Sequence, residues 1–187
     1  MKKDLRDYVK VYKNHIPEKL CDNTVKELQN VDFELHKFYI PIENKSYSDV
    51  KELSSYYKEI STSKQIVEST WNVLHEYIVK DIAFPWNTIW TGFSPPKFNK
   101  YETNTQMKEH CDHIYSLFTG ERRGIPILTI LGSLNDGYSG GELVLFTDEV
   151  YTLNKGDVIV FPSNFLYPHR INEITAGVRY SYAAWSY

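Results

Sequence analysis

Residues 177–185 read GVRYSYAAW, an alternation of side-chain types that predicts a β-strand buried in the protein. Side chains alternate between the two faces of a strand, so Arg179, Ser181, Ala183 and Trp185 share one face. The other face carries apolar and aromatic residues alone. Because a buried guanidinium loses its hydration, the arginine on this strand is expected to need an anionic partner.

The region around this strand is rich in short β-type runs. From Trp86 onward, β-branched and aromatic residues are separated by turn-forming pairs, such as Pro-Pro at 95–96, Asp-Gly at 136–137 and Gly-Gly at 140–141. Several short strands with regular turns are typical of a sandwich or barrel.

The N-terminal half shows helical spacing instead. Residues 8–12 alternate and predict a short strand, and residues 17–29 predict a helix that begins near Pro17. Residues 49–82 form the longest predicted helical region, with a break expected at Ser61-Thr62-Ser63.

This order of elements predicts an α+β fold, a double-stranded β-helix (jelly roll) with N-terminal helices packed on one sheet. At this length we expect a single domain over residues 1–187. Within it, residues 1–85 are predicted to be a mainly helical support region, and residues 86–187 the jelly-roll core.

The composition excludes several classes of protein. Hydrophobic residues make up 42% of the chain, enough for a globular core, and the formal net charge of −3 argues against a nucleic-acid partner. No apolar run approaches the ~20 residues of a membrane helix, and the first residues lack the apolar segment of a secretory leader. The two cysteines cannot form a disulfide framework. We therefore expect a cytoplasmic protein without a membrane or nucleic-acid partner.

His110 and Asp112 form a His-x-Asp triplet within KEHCDH, residues 108–113. On a strand, both side chains would point to one face, and Cys111 and His113 to the other. An imidazole and a carboxylate side by side supply two of the three ligands of a facial metal site. Such a triplet also arises by chance, and His113 is a competing ligand.

A third ligand candidate, His169, ends the stretch FPSNFLYPH at 161–169. The preceding residues 155–160, KGDVIV, predict a turn and a strand. In a sandwich, a residue this far along the chain from Asp112 can lie on a facing strand. Taken alone, His169 is better explained as a surface histidine after a loop, so its role depends on the other candidates.

Arg179 is the candidate anion-binding residue. Its planar guanidinium matches a carboxylate through two parallel hydrogen bonds, and a dicarboxylate co-substrate would supply that anion. The alternative is a salt bridge to a protein carboxylate such as that of Glu142.

Together these residues resemble the prolyl-4-hydroxylase-like 2-oxoglutarate/Fe(II)-dependent dioxygenases, and within them the short bacterial and phage-type hydroxylases. The resemblance runs from about Trp86 to Tyr187, and residues 8–28 resemble the N-terminal region of the family. The part between Glu34 and Lys80 is the least diagnostic.

The resemblance implies an iron site and a co-substrate pocket. It implies Fe(II) held by His110, Asp112 and His169, and 2-oxoglutarate held at its distal carboxylate by Arg179 with Ser181. The other pocket-lining residues that it implies are Tyr101, Leu131, Leu143, Ile171 and Trp185. Three positions depart from the family pattern and bear on pocket detail and substrate class: Asn104, Met107 and Ser133.

The resemblance also implies an activity. This is hydroxylation, with O₂ as oxidant, coupled to decarboxylation of 2-oxoglutarate to succinate and CO₂, and with ascorbate as reductant. The substrate implied is peptidyl proline. A free amino acid or another small molecule, and a non-catalytic cupin-like binding module, stay open as alternatives, and a homodimer is compatible with the family.

The loop at 116–124 is a further candidate. It is polar, bounded by glycine, and carries Arg122 and Arg123. We hypothesise that it is mobile and contacts the substrate, although a solvated hairpin explains its composition equally well.

Overall fold

A computed structural model describes residues 4–40, 43, 45–83, 92–112 and 126–187 of the chain. Most elements within these ranges are short strands. In chain order they are β1 (Lys10–Tyr12), β2 (Glu34–Leu35), β3 (Phe38–Ile40), β4 (Lys45–Tyr47), β5 (Ser54–Tyr56), β6 (Lys97–Tyr101), β7 (Met107–His110), β8 (Leu128–Ser133), β9 (Ser139–Gly140), β10 (Leu143–Leu145), β11 (Glu149–Tyr151), β12 (Val158–Pro162), β13 (His169–Ile171), β14 (Ile174–Ala176) and β15 (Arg179–Ser186).

The helices lie in the N-terminal half. Helix α1 spans Glu18–Leu28 and confirms the helix predicted at 17–29, with Pro17 directly before its first turn. Helix α2 spans Ser63–Glu76 and continues into a π-helical segment at Tyr77–Ile82. A short 3₁₀ helix, Leu5–Tyr8, precedes β1.

The helical prediction for residues 49–82 is wrong over its first part. Residues Ser54–Tyr56 form β5, which pairs antiparallel with β6, and α2 begins only at Ser63. The apolar residues Leu53, Tyr57 and Ile60 have helical spacing, but tertiary pairing with the edge of a sheet overrides that local preference. The described part of residues 1–85 therefore contains more strand than the mainly helical region that the sequence predicts.

The larger sheet has seven strands in the order β1-β12-β8-β15-β6-β5-β2. Its central pairs are antiparallel, with Ser181 opposite Ser133 on one side and opposite Asn99 on the other. This register fixes which residues of β15 and β6 lie beside one another on the inner face. Arg179 is consequently opposite Tyr101.

The smaller sheet has four strands in the order β11-β10-β13-β7. Its pairs are antiparallel, and β13 pairs with β7 so that His169 lies directly opposite His110. An irregularity in this pairing follows His169, before Ile171 meets Met107.

Two apolar cores hold the layers together. One lies between the sheets, where Ile159 and Phe161 of the larger sheet pack with Leu143, Leu145 and others of the smaller one. The predicted α+β jelly roll, two antiparallel sheets enclosing a core, is confirmed.

The second core lies between the helices and the outer face of the larger sheet. Ile66 and Leu74 of α2 are fully buried there against Tyr182 and other side chains of the sheet. The hydroxyl of Thr70 donates to the hydroxyl of Tyr182 at 3.0 Å, which ties the helix to the sheet. A Cβ at Gly132 would overlap the Tyr182 ring, so this close approach requires glycine. No helix in the described ranges is both long and apolar enough to cross a membrane.

Candidate active site

The two candidate histidine ligands meet across a strand pair. His110 ends β7 and His169 begins β13, and the two residues are direct cross-strand partners. Their ring centroids lie 4.3 Å apart. His169, which alone would be explained as a surface residue, is in fact buried, because β13 pairs on both sides within the smaller sheet.

Asp112 completes the cluster from beyond the end of β7. Its two carboxylate oxygens lie 3.5 Å from His110 Nε2 and 3.7 Å from His169 Nε2. One ligand atom from each of the three residues falls within 4.8 Å of the others, a spacing at which they could hold one metal ion.

Strict strand alternation does not extend to Asp112. The strand stops at His110, and both Cys111 and Asp112 line the same cavity. The prediction that Cys111 points away from the site is therefore wrong, while the shared orientation of His110 and Asp112 is found. His113 lies outside the described residues.

Backbone carbonyls orient both imidazoles. His110 Nδ1 lies 2.8 Å from the carbonyl oxygen of Lys108, and His169 Nδ1 lies 3.1 Å from that of Tyr167. If each Nδ1 donates its proton to the carbonyl, each Nε2 is left with a free lone pair directed at the cluster. This tautomer is the one that binds a metal through Nε2.

The protonation states also suit a metal. Burial by itself raises the pKa of Asp112, but the attraction of His169 and His110 outweighs burial and holds that pKa far below its usual range. Burial lowers the pKa of His169, which favours the neutral imidazole. A carboxylate and neutral imidazoles are the ligand forms of a facial triad.

Two buried hydroxyls support the carboxylate from behind, and sequence reasoning missed both. Thr129 on β8 donates from Oγ1 to Asp112 Oδ2 at 2.8 Å. The hydroxyl of Thr129 also shares a hydrogen bond with that of Ser163. Both residues are almost fully buried. A hydroxyl residue within an apolar run, such as Thr129, indicates a buried polar contact. The sequence alone does not show which group that hydroxyl contacts.

Arg179 lies at the other end of the same inner face and meets no protein anion in the part of the chain that the structure describes. Its side chain is 2% exposed, and its guanidinium lies 5.0 Å above the Tyr101 ring. One Nη donates to Ser181 Oγ at 3.1 Å, while the buried Nε has no partner. Within the described ranges no carboxylate forms an ion pair with it, and Glu142 instead accepts from Asn172 at 3.1 Å. The alternative salt bridge to Glu142 is therefore absent.

Further groups around Arg179 define its surroundings. Ser133, the cross-strand partner of Ser181, has a buried hydroxyl without a partner. Burial raises the pKa of Tyr101 to about 12 although Arg179 opposes the shift, so its hydroxyl remains a donor. Unpaired donors and an unpaired cation at one end of a cavity fit a bound dicarboxylate.

A single cavity of about 500 Å³ joins the metal cluster to Arg179. Five other residues predicted for the pocket line it: Tyr101, Leu131, Ile171, Ser181 and Trp185. The prediction for Leu143 needs correction. It lies on β10, one strand farther from β7 than Ile171, and its side chain is buried in the core between the sheets. Arg122 and Arg123, with the loop at 116–124, lie outside the described residues.

Sequence reasoning missed the wall that the N-terminal half contributes. Besides Leu53 and Tyr57, this wall contains four residues from and beside the β3–β4 pair, namely His36, Lys37, Phe38 and Tyr47. The rings of Phe38 and Tyr47 stack with centroids 5.2 Å apart, and the ring of His36 meets Phe38 edge-on. Burial, with the nearby charge of Lys97, lowers the pKa of His36 to about 3, so this imidazole is neutral.

The donor set fits the metal that the resemblance implies. Two imidazole nitrogens and a carboxylate oxygen on one side of an open cavity are the ligands of non-haem Fe(II) oxygenases, and they leave metal positions free on the other side. The unpaired Arg179 lies in the same cavity. These residues fit both iron and a dicarboxylate.

Sequence comparison places the C-terminal half of the chain in a known family. Residues 96–187 match the family model described as the 2OG-Fe(II) oxygenase superfamily. A PKHD-type hydroxylase of Delftia acidovorans is 35% identical over 101 residues, which cover 50% of this chain and 43% of that relative. The chain thus matches less than half the length of this relative.

Solved structures share the fold at low sequence identity. A prolyl-4-hydroxylase from Pseudomonas putida superposes with a TM-score of 0.70 at 16% identity, covering 96% of this chain and 91% of that one. A prolyl hydroxylase from Trichoplax adhaerens, in complex with a peptide fragment of the oxygen degradation domain of hypoxia inducible factor, gives a TM-score of 0.73 at 14% identity, covering 97% and 84%. Both confirm the predicted jelly-roll fold.

Proposed function

Because the chain belongs, through residues 96–187, to the 2OG-Fe(II) oxygenase superfamily, we propose that it is a prolyl-4-hydroxylase-like hydroxylase. In this proposal His110, Asp112 and His169 bind Fe(II), and Arg179 binds the distal carboxylate of 2-oxoglutarate. One observation carries the proposal: three ligand atoms within 4.8 Å of one another share a cavity with a buried arginine that has no anion among the described residues.

The protein contributes position and protection to this chemistry. Bound Fe(II), with 2-oxoglutarate and O₂, supplies the oxidation: one oxygen atom enters a substrate C–H bond, and the other enters succinate as CO₂ leaves. His110, Asp112 and His169 would hold the metal at one end of the cavity, where it would supply binding positions for the co-substrate and O₂. Arg179 and Ser181 orient the co-substrate, and the apolar side chains of Leu131 and Ile171 keep water away from the reacting atoms.

Ascorbate is proposed as the reductant that keeps the iron ferrous between turnovers. It needs no dedicated site on the protein for this role. An assay with and without ascorbate separates its effect from that of the substrate, because it alters the number of turnovers before inactivation.

We propose peptidyl proline as the substrate. The sequence relative described above is named a hydroxylase, and the two similar structures described above are prolyl hydroxylases, one of which holds a peptide. A cavity of about 500 Å³ is much larger than the five-carbon co-substrate and leaves room for a substrate residue. A free amino acid hydroxylated by the same chemistry is the second candidate. A homodimer stays a prediction.

A non-catalytic binding module is the third candidate, and Arg179 argues against it. A cupin-like module that only holds a metal has no use for a buried guanidinium that meets no carboxylate among the described residues, because that cation destabilises the fold until an anion binds.

Succinate release tests the proposal. The protein is incubated with Fe(II), 2-oxoglutarate and ascorbate, alone and with either proline-containing peptides or free L-proline. We expect succinate in all wild-type reactions, with more when the true substrate class is present. No succinate from protein shown to bind Fe(II) would support the binding module instead.

A further inference from the structure

Strand β6 directs a second cation into the cavity, far from Arg179. Lys97, Asn99 and Tyr101 alternate along β6 and all line the cavity. Tyr101 is opposite Arg179, and Lys97 is opposite Ala183. Four residues of strand therefore separate the levels of the two cations, a distance of about 13 Å along the sheet.

The ammonium of Lys97 has no carboxylate partner among the described residues. Its Nζ lies 5.2 Å above the ring of Trp185, and no ion pair or side-chain hydrogen bond joins it to any of the acidic groups in those ranges. Burial lowers its pKa to about 8, and Asp112, the acidic group among the described residues that line the cavity, raises it. Lys37, also at the cavity, instead pairs with Glu34 at 3.9 Å.

The positive charge of Lys97 is not balanced when Fe(II) and 2-oxoglutarate are bound in the cavity. The two positive charges of Fe(II) and the one on Arg179 are matched by the single charge of Asp112 and the two of 2-oxoglutarate. Burial and the charge of Lys97 lower the pKa of His36 to about 3, so its neutral imidazole adds no charge to the cavity. Among the described residues, the loaded cavity therefore holds one cation without a counter-ion, and a cation in that state attracts an anionic ligand.

The co-substrate cannot serve both cations. A five-carbon chain is roughly 5 Å long, well short of the separation between the levels of Arg179 and Lys97. The anion at Lys97 therefore belongs to another molecule in the cavity, which is the substrate.

Asn99 adds a neutral hydrogen-bonding group between the two cations. Its Oδ1 accepts from Ser55 Oγ at 3.2 Å, and its amide nitrogen makes no hydrogen bond within the described part of the chain. An ammonium and an amide donor on the same strand face can together receive the two oxygens of one carboxylate.

We propose that Lys97, aided by Asn99, binds a carboxylate of the substrate and so makes the enzyme selective for acidic substrates. This inference rests on the proposed function and extends it to the substrate class. The carboxylate can be the α-carboxylate of a free amino acid or the side chain of an acidic residue beside proline in a peptide. Lys97 is a specificity-determining residue in either case.

The test measures binding near the metal with paired probes that differ by one charge. Protein loaded with Mn(II) and saturating 2-oxoglutarate, under anaerobic conditions, is titrated with each probe, and Mn(II)-enhanced relaxation of the probe protons reports binding close to the metal. One pair is L-proline and L-prolinamide. The other is a capped peptide with Pro-Glu and the same peptide with Pro-Gln.

We expect the carboxylate member of one pair to bind at least about tenfold more tightly than its amide partner, a preference worth ~1.4 kcal/mol. Lys97→Gln should abolish the preference, and Lys97→Arg should restore part of it. The pair that shows the preference identifies the source of the carboxylate. Lys100→Gln is the matched control, since Lys100 lies on the same strand but contacts Phe33 and Glu102 on the opposite face.

Three outcomes overturn the inference: no preference in either pair, a preference that survives Lys97→Gln, or weaker 2-oxoglutarate binding as the main effect of that variant. The titration with 2-oxoglutarate comes first. If the wild type does not bind it, the proposed function fails, and the inference fails with it for that separate reason.

Discussion

The two walls of the cavity differ in how they arise from the sequence. The jelly-roll wall carries the metal cluster and Arg179, and its side chains are placed by strand alternation and by the pairs His169–His110 and Arg179–Tyr101. The N-terminal wall, at residues 36–57, depends on the pairing of β5 with β6 and on aromatic contacts between β3 and β4. Under the proposed function the first wall binds the metal and the co-substrate, and we expect the aromatic side chains of the second wall to contact the substrate.

The largest expected effect of a single substitution is on the jelly-roll wall, at Asp112. Asp112→Ala leaves two imidazoles without the carboxylate, so we expect Fe(II) affinity to fall by more than ~100-fold, beyond the loss typical of an outer hydrogen-bond partner. Succinate formation should disappear while the circular dichroism spectrum is unchanged. Asp148→Ala, at an exposed position, is the control. Metal affinity retained in Asp112→Ala would mean that the ion binds elsewhere.

The next largest effect is expected at Arg179, at the end of the jelly-roll wall opposite the metal cluster. Arg179→Gln should raise the KM for 2-oxoglutarate by about 10- to 100-fold, since charge-assisted hydrogen bonds contribute roughly 1.5–3 kcal/mol each. Metal affinity should change little. Steady-state kinetics together with a metal titration measure both quantities. An unchanged KM for 2-oxoglutarate would assign its distal carboxylate to another residue.

A smaller effect is expected behind the metal cluster. Thr129→Val removes the hydroxyl that donates to Asp112 and should weaken metal binding by roughly tenfold. Thr129→Ser keeps the hydroxyl and should restore most of the affinity, which a purely structural role in packing would not explain. Thr175→Val, at an exposed position of β14, serves as the control. Equal affinities in all three variants would contradict a positioning role for Thr129.

The smallest effect is expected on the N-terminal wall. Phe38→Leu keeps apolar volume but removes the stacking on Tyr47, a contact worth about 0.5–1.5 kcal/mol. The KM for the substrate should rise severalfold, and the KM for 2-oxoglutarate should not change. Val150→Ala, exposed on β11, is the comparison. A change in the KM for 2-oxoglutarate alone would mean that the N-terminal wall contacts the co-substrate and not the substrate.

Much of the jelly-roll wall could be predicted from the sequence, because it depends on local periodicity. The alternation along residues 179–185 placed Arg179, Ser181 and Trp185 on the cavity face, as found. Asn104 has a positive φ of 67°, a conformation that asparagine tolerates better than most residues.

The wrong or missing predictions concern residues whose structure or position depends on tertiary contacts. Residues Ser54–Tyr56 form a strand despite helical spacing, because the edge of β6 pairs with them. Leu143 has the right alternation but lies one strand too far from the cavity. Lys97 and Thr129 were missed because nothing in the spacing of the sequence tells which group a buried polar side chain faces.

The central claim is that one Fe(II) ion is shared by His110, Asp112 and His169, with 2-oxoglutarate between it and Arg179. The most direct test is anomalous diffraction at the iron edge from crystals grown anaerobically with Fe(II) and 2-oxoglutarate. We expect a single iron peak bonded to both Nε2 atoms and to Asp112, with the distal carboxylate paired to the guanidinium. An iron peak at other residues, or 2-oxoglutarate bound away from Arg179, would contradict the claim.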